Sequence, residues 1–253
     1  MKWLLCLGLV LALAGCTQQQ PLPHRALVGP KMVYRAIEVE QTLDAREGVV
    51  IQPAESWFEI VPGRIPVIIT APHATRPLRE GKRRFSDGGG TAALALALGE
   101  LTGAHVIYTT GEGPSDPNYY DDNAFKRELA RLIGEVKPHL LLDIHGSHPY
   151  RPYDVDLGTM GGESLLGDEA LLRVLIDSLR GENIGNISYN YFSASKNQTI
   201  AKFASGLAVP AVQVEVNTTY LSPSAGDIEA QRFARLVQGL VRFIQAREVV
   251  DGP

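Results

Sequence analysis

The sequence predicts an α/β protein of three layers, in which helices cover both faces of a mixed, mostly parallel sheet. From residue 65 onward, short apolar runs of strand length alternate with longer segments whose apolar residues recur every three or four positions. The short runs are apolar at nearly every position, which is typical of parallel strands buried on both faces. We therefore expect one domain over residues 31–253.

The first elements of this domain are predicted to be strands. Met32 to Glu40 and Gly48 to Ile51 alternate apolar and polar residues, which predicts exposed edge strands, and Trp57 to Val61 is a third candidate. A buried strand is predicted at Val67 to Ala71, and a helix follows it at Thr91 to Leu101.

Strands and helices continue to alternate toward the C-terminus. Further strands are predicted at Val106 to Thr109, Leu140 to Ile144 and Ala208 to Val216. Further helices are predicted at Asn123 to Val136, Leu171 to Leu179 and Asp227 to Arg247. Asp121 and Asp122 are candidate caps for the helix near Asn123. Asp154 and Asp156 alternate on a short segment, which indicates an exposed hairpin edge, although one of them could face a site.

The N-terminal segment has the pattern of an export signal. Apolar residues from Trp3 to Ala14 follow Met1-Lys2, and such a core of about a dozen residues is shorter than the ~20 that a membrane-spanning helix needs. Leu13-Ala14-Gly15-Cys16 resembles the lipobox of bacterial lipoproteins, which implies cleavage before Cys16 and acylation of that residue. The alternative is a plain secretory signal with a chance cysteine.

On this interpretation, residues 1–15 are a lipoprotein signal peptide and residues 16–30 are a lipidated, flexible tether. We expect the domain to be anchored in the bacterial cell envelope through Cys16. Thr17 after the cysteine favours the outer membrane, facing the periplasm, by the usual sorting rule. The formal charge of −4 is dispersed along the chain, and no basic patch indicates nucleic acid as a partner.

Two histidines stand where predicted strands run into polar loops, which is where open α/β sheets carry active residues. They are His73 and His145, and Asp143 precedes the second by two positions. Because side chains along a strand alternate with a period of two, Asp143 and His145 face the same side, and either could be a metal ligand. Cys6 lies in the signal peptide and Cys16 carries lipid, so a metal in the mature domain would be bound by His, Asp or Glu.

Glu215 is an acidic residue among the apolar residues of the strand at Ala208 to Val216. An ionised carboxylate in such a place costs free energy unless it is paired or used. A hydrolytic zinc site needs three protein ligands, an open position for water and a nearby carboxylate that does not bind the metal. The histidines and Glu215 together therefore indicate a metal-dependent hydrolase. The alternative for Glu215 is a structural acid in an ion pair.

Six short motifs lie in order between Ile65 and Tyr220. They are Ala71-Pro72-His73, Asp87-Gly88, Asp116-Pro117-Asn118, Phe125-Lys126-Arg127, Asp143-Ile144-His145-Gly146 and Val214-Glu215-Val216. Together they resemble the N-formylglutamate amidohydrolase family, whose fold is similar to that of the zinc carboxypeptidases, the phosphorylase/hydrolase-like arrangement. The resemblance implies one bound Zn²⁺ and hydrolysis of an amide bond in an N-acyl amino acid or small peptide.

Position by position, the resemblance implies that His73 and His145 bind zinc and that Glu215 is the general base. The carboxypeptidase branch has a Glu ligand three residues after its first His, where this chain has Arg76. Asp87, in a Gly-rich loop before a helix, is the preferred replacement as third ligand. The alternative for Asp87 is a loop residue that exploits the neighbouring glycines.

The resemblance also implies roles around the metal. Asp143 would accept the free ring N–H of a metal-bound histidine and so fix its tautomer. Asn118, Lys126 and Arg127 lie where related enzymes hold the carboxylate of the substrate, and the planar guanidinium of Arg127 suits it best. Arg76 is a further candidate for substrate binding.

Gly88-Gly89-Gly90 before a helix is similar to phosphate-binding loops, but it lacks the Lys and the Ser or Thr that a nucleotide loop needs. The leading hypothesis is therefore a lipid-anchored, zinc-dependent amide hydrolase of the cell envelope. A second hypothesis is a non-catalytic envelope lipoprotein that binds a ligand or partner with the same fold. Arg76, at the position of an expected ligand, favours this second hypothesis. A third is a zinc carboxypeptidase.

Overall fold

The computed structural model describes residues 25–52 and 55–251. The predicted signal peptide and the predicted lipidation site at Cys16 lie outside these residues. Among the helices in the described ranges, none combines the length and the apolar character that crossing a bilayer requires.

Within the described residues, seven strands form the central sheet. They are β1 (Phe58–Val61), β2 (Val67–Ala71), β5 (His105–Thr109), β6 (Leu140–Ser147), β7 (Val155–Gly158), β8 (Ile187–Tyr189) and β9 (Ala211–Asn217), and a separate ribbon consists of β3 (Leu78–Arg79) and β4 (Lys82–Arg83). The order across the sheet is β1-β5-β2-β6-β9-β7-β8. Strands β5, β2, β6 and β9 are parallel to one another. Strand β1 runs antiparallel to β5, and β7 runs antiparallel to β9 but parallel to β8. The predicted mixed, mostly parallel sheet is confirmed.

Helices cover both faces of this sheet. One face carries α1 (Pro30–Arg46), α2 (Gly89–Thr102), α4 (Glu169–Gly181) and α6 (Asp227–Asp251), and the other carries α3 (Ala124–Val136) and α5 (Ile200–Gly206). Successive strand residues enter opposite cores. Val67 and Ile69 pack on the side of α2, and Ile68 packs on the side of α3. The predicted three-layer architecture is therefore confirmed.

The predicted edge strand at Met32 to Glu40 is wrong, because this segment belongs to helix α1. Its buried residues are Ala36, Glu40 and Leu43, at the spacing of four and then three that places side chains on one helix face. Pro30 in the first turn is compatible with the start of a helix. The apparent alternation of apolar and polar residues arose from the exposed flank of this helix.

The second predicted edge strand, at Gly48 to Ile51, is also absent from the sheet of described residues. Only an isolated bridge forms there, between Val50 and Glu112. Glu47 and Gly48 form the turn that follows α1, so the segment serves as a connection rather than as a strand.

The exposed hairpin edge predicted around Asp154 and Asp156 is wrong as well. Strand β7 lies inside the sheet between β9 and β8, and Asp156 is fully buried. Its carboxylate accepts hydrogen bonds from the backbone N–H groups of Tyr191 and Phe192 and from the hydroxyl of Ser188. These donors explain how a carboxylate is stable inside the sheet.

The remaining predicted elements are confirmed, with shifts at their ends. Helix α3 is capped by Asn123, whose side chain accepts a hydrogen bond from the N–H of Lys126, and not by the predicted Asp121 or Asp122. Strand β6 continues beyond its predicted end to Ser147, because it pairs with β9 along its whole length. His145 is therefore a strand residue.

Candidate active site

Three buried residues place potential metal-ligand atoms within 4.8 Å of one another: His73, Asp87 and His145. His73 lies in the turn after β2, Asp87 lies just before α2, and His145 lies in β6. Because β2 and β6 are adjacent and parallel, their carboxyl ends meet at one edge of the sheet. The three ligands predicted from the sequence are thus brought together in a cluster that could hold a metal ion.

The three side chains converge through specific atoms. Oδ2 of Asp87 lies 2.8 Å from Nδ1 of His145 and 3.4 Å from Nδ1 of His73. The two imidazole rings are 4.9 Å apart between centroids. Nδ1 of His73 is buried and has no hydrogen-bond partner among the described residues. A buried nitrogen without a partner is costly, so this donor set fits a metal ion that would use it.

The opposite ring nitrogen of each histidine faces a carboxylate. Nε2 of His73 lies 2.8 Å from Oδ1 of Asp116, and Nε2 of His145 lies 3.0 Å from Oδ2 of Asp143. An imidazole that donates from Nε2 to a carboxylate presents Nδ1 as its metal-binding nitrogen. Asp143 is placed as the sequence predicted. Asp116 was missed, although the motif Asp116-Pro117-Asn118 contained it.

The charges of the cluster stabilise one another. Burial favours the neutral form of Asp87, but Arg84 together with His73 and His145 holds the pKa of this carboxyl well below its usual range. Burial also opposes the charge on His145, but Asp143 and Asp87 raise the pKa of its imidazole well above the usual value. Asp87 is therefore ionised, and His145 would release its proton when it bound a metal ion.

Glu215 lies directly beside this cluster. It is the cross-strand neighbour of His145 in the register of β6 and β9, and it lines the same cleft. Its Oε1 accepts a hydrogen bond of 3.0 Å from Nε2 of Gln213. Burial raises the pKa of the Glu215 carboxyl to about 7, although His145 opposes the rise. Such a group can both accept and release a proton near neutral pH.

These residues open into a cleft of about 860 Å³. Among the residues that the structure describes, four Arg and Lys side chains line it, and none of them was predicted from the sequence: Arg79, Arg84, Arg151 and Lys196. Arg79 and Arg84 are paired with Asp116 and Asp87, at 2.6 and 3.0 Å. Periodicity in the sequence could not reveal them, because they lie on loops and on the short ribbon of β3 and β4.

Two residues predicted to bind substrate on α3 lie elsewhere. Lys126 is fully buried, and its Nζ donates hydrogen bonds of 2.6 Å to Asp121 and to the carbonyl of Gln198. Arg127 lies on the exposed side of α3 and pairs with Asp122. The apolar stripe of α3 faces the core, so Arg127 points away from the cleft. Neither Lys126 nor Arg127 belongs to the lining of the cleft, where the sequence predicted them to contact substrate.

Of the two other residues predicted to bind substrate, Asn118 lines the cleft and Arg76 does not. Arg76 instead pairs with Glu47 at 3.1 Å. Asn118 does line the cleft. Its Nδ2 lies 2.8 Å from Nε2 of His145, and its Oδ1 accepts a hydrogen bond from the N–H of Ile200. Asn118 therefore contacts a candidate ligand directly.

No protein-family model matches the chain, and no curated protein matches it. Among solved structures, an N-formylglutamate amidohydrolase from Ralstonia eutropha is similar, with a TM-score of 0.55 and 14% identity over 78% of this chain and 99% of that one. A gene product of Agrobacterium tumefaciens has a TM-score of 0.55 and 13% identity over 83% of this chain and 100% of the other. The predicted resemblance is confirmed at the level of the fold, which this chain shares with a hydrolase.

Proposed function

We propose that this protein is a zinc-dependent hydrolase that cleaves an amide bond in an N-acyl amino acid or small peptide of the cell envelope. The observation that carries the proposal is the convergence of two imidazole Nδ1 atoms on Oδ2 of Asp87. One of those nitrogens, in His73, is buried and makes no hydrogen bond to any residue that the structure describes. The pair of carboxylates behind the rings adds support, because it orients both nitrogens toward the same point.

His73, Asp87 and His145 would hold the ion. Two nitrogens and one carboxylate oxygen form a common ligand set of hydrolytic zinc sites, although the same ligands also accept other first-row ions. When bound there, zinc supplies a Lewis acid and lowers the pKa of a coordinated water.

Glu215 is the residue that we assign to proton transfer. It lies beside the cluster without belonging to the ligand trio, and it lines the cleft from which substrate would approach. Its carboxylate would accept the proton of the attacking water and later return it to the leaving amine. Gln213 holds one carboxylate oxygen, which leaves the other free to face the reacting groups.

Location in the cell envelope is the second part of the proposal. Its support is the apolar segment followed by Leu13-Ala14-Gly15-Cys16 in the sequence. An enzyme anchored there through Cys16 would meet peptides and acylated amino acids outside the cytoplasm. We therefore assign the substrate to that pool.

The decisive experiment measures metal and activity together. Purified protein should contain about one zinc per chain by elemental mass spectrometry and should hydrolyse members of a panel of N-acyl amino acids and short peptides. Glu215→Gln should lower the rate by about 10² to 10⁴ while keeping the metal. Glu100→Gln is the matched control, because Glu100 lies on the exposed end of α2 and pairs with Arg35. A protein without stoichiometric metal, whose hydrolysis survives His145→Ala, would refute the proposal.

The alternative function is that of a non-catalytic binding protein, and the contact between Arg84 and Asp87 favours it. Nη1 of Arg84 lies 3.0 Å from Oδ1 of Asp87, so a candidate ligand already has a cationic partner. Such a protein would bind ligand in the cleft without turnover and without a metal requirement. A zinc carboxypeptidase would instead shorten peptides stepwise from their C-termini, which mass spectrometry of the products would show.

A further inference from the structure

One wall of the cleft is formed by the irregular segment 190–199, which connects β8 to α5. Seven of its residues line the cleft: Tyr191, Phe192, Ser193, Ala194, Lys196, Asn197 and Thr199. No helix or strand fixes this segment, so its shape depends on contacts with the rest of the molecule. We refer to residues 190–199 as the cleft wall.

A buried carboxylate holds the beginning of the cleft wall. Asp156 in β7 is fully buried, and its oxygens accept hydrogen bonds from the N–H groups of Tyr191 at 3.0 Å and Phe192 at 2.8 Å. The hydroxyl of Ser188 donates a third, at 2.7 Å. Asp156 forms no ion pair within residues 25–52 and 55–251, so these donors stabilise its charge.

A buried ammonium group holds the end of the cleft wall. Nζ of Lys126 donates to the carbonyl of Gln198 at 2.6 Å and lies 4.9 Å from the centre of the Phe203 ring. Next to this contact, Asn118 accepts a hydrogen bond from the N–H of Ile200, and its amide nitrogen lies 2.8 Å from His145. Two fully buried charges thus contact backbone groups at opposite ends of one segment.

Two cationic side chains lie on or against the cleft wall. The guanidinium of Arg151 lies 5.0 Å from the ring of Phe192 and 5.7 Å from that of Tyr191, and Lys196 lies on the wall itself. Neither cation forms an ion pair with a carboxylate in the part of the chain that the structure describes. This contrasts with the formal charge of −4 of the whole chain. An acidic group on the substrate is the chemistry that such a surface would recognise.

We propose that the cleft wall determines substrate specificity and that Asp156 and Lys126 are its positioning residues. The inference rests on the proposed hydrolase function, and it goes further by assigning recognition of an acidic group to this segment. Both residues act through the wall and touch neither substrate nor metal. They therefore control substrate affinity more than the chemical step.

The test uses the purified full chain with Asp156→Asn and Lys126→Met. The carboxylate of Asp156 accepts hydrogen bonds from the N–H groups of Tyr191 and Phe192. An asparagine amide has only one oxygen, so its NH₂ group would face one of these N–H donors, and the cleft wall would be released at that residue. Hydrogen exchange of the peptide covering the wall should accelerate about tenfold or more, as expected from the loss of a hydrogen bond to a charged group. Exchange in β6 should stay unchanged. Asp154→Asn is the matched control. Asp154 lies two positions before Asp156, forms a hydrogen bond with Tyr220 and does not line the cleft.

Steady-state kinetics then test whether the cleft wall determines substrate specificity. With N-formyl-L-glutamate as the acidic probe and N-formyl-L-glutamine as its neutral counterpart, both variants should raise KM for the acid about fivefold or more. The value of kcat should change less than about twofold. The preference for the acid should fall. Lys126→Met tests the wall from its other end, so the inference stays testable if Asp156→Asn does not fold.

The outcomes are distinct from those that test the hydrolase proposal. Unchanged exchange of the cleft wall in both variants, or equal acceleration in Asp154→Asn, would overturn the positioning role whether or not the protein is an enzyme. Faster exchange with unchanged KM and unchanged preference for the acid would overturn the specificity role. If wild-type protein hydrolyses no amide, the hydrolase proposal and the specificity role both fail, while exchange still decides the positioning role.

Discussion

Each histidine of the candidate site lies between two carboxylates, and only part of this arrangement could be predicted. Asp143 was predictable because it stands two positions before His145 on one strand, and strand geometry places both side chains on the same face. Asp116 is 43 positions from His73 and lies on a loop after β5. No local periodicity relates these two residues. Their contact follows from the pairing of β2 with β5, which is a property of the folded sheet.

The role of Asp116 in supporting His73 as a metal ligand can be tested by substitution. Asp116→Asn removes the charge that holds Nε2 of His73, and loss of such a partner typically lowers metal affinity about 10- to 100-fold. Competition with a chromogenic chelator would measure the effect. Asp122→Asn is the control, because the Asp122 side chain is 98% exposed. Equal affinity in the Asp116 variant and the wild type would show that this carboxylate does not support a metal ligand.

At the scale of elements, apolar runs were sufficient to predict β2, β6 and β9, the strands that carry or precede the site residues. Helix α1 was not predictable in the same way, since its buried face is narrow and includes the acid Glu40. That carboxylate is accommodated by a hydrogen bond of 2.9 Å from the N–H of Ser224, a partner that lies 184 positions away. Tertiary packing therefore decided the structure of this segment.

The glycines before α2 also have an explanation in packing. A Cβ atom at Gly89 would lie 2.4 Å from the carbonyl oxygen of Glu40, and one at Gly90 would lie 1.7 Å from that of Leu221. The Gly-rich run allows α2 to approach α1 and the loop at Leu221 closely. This agrees with the sequence interpretation that it is not a nucleotide loop.

Two matched substitutions should therefore have opposite effects. Gly90→Ala should destabilise the fold by about 1 to 3 kcal/mol, because the new methyl group meets backbone that cannot move aside. Gly134→Ala, in the interior of α3 with open space around the added methyl, should stabilise it by about 0.5 to 1 kcal/mol. Denaturant unfolding of both variants would measure the two values. A shift of the same sign in both would contradict the packing argument.

At the scale of the whole molecule, the domain is preceded by a sequence with the features of an export and lipidation signal. If Cys16 is the anchor, Cys16→Ser should abolish incorporation of labelled palmitate and move the protein from the membrane fraction to the soluble fraction. Cys6→Ser, in the segment predicted to be removed, is the control and should leave both properties unchanged. Continued palmitate labelling of the Cys16 variant would refute the proposed anchor.

The candidate ligands and Glu215 come from distant parts of the chain and meet only because β2, β6 and β9 are neighbours in the sheet. Closing such long loops costs chain entropy, so pairing of this type forms slowly. An unfolded chain cannot hold an ion between His73 and His145 as the folded cluster would. A chain that is exported unfolded would therefore load its ion after translocation, and the metal supply outside the cytoplasm would decide which ion it carries.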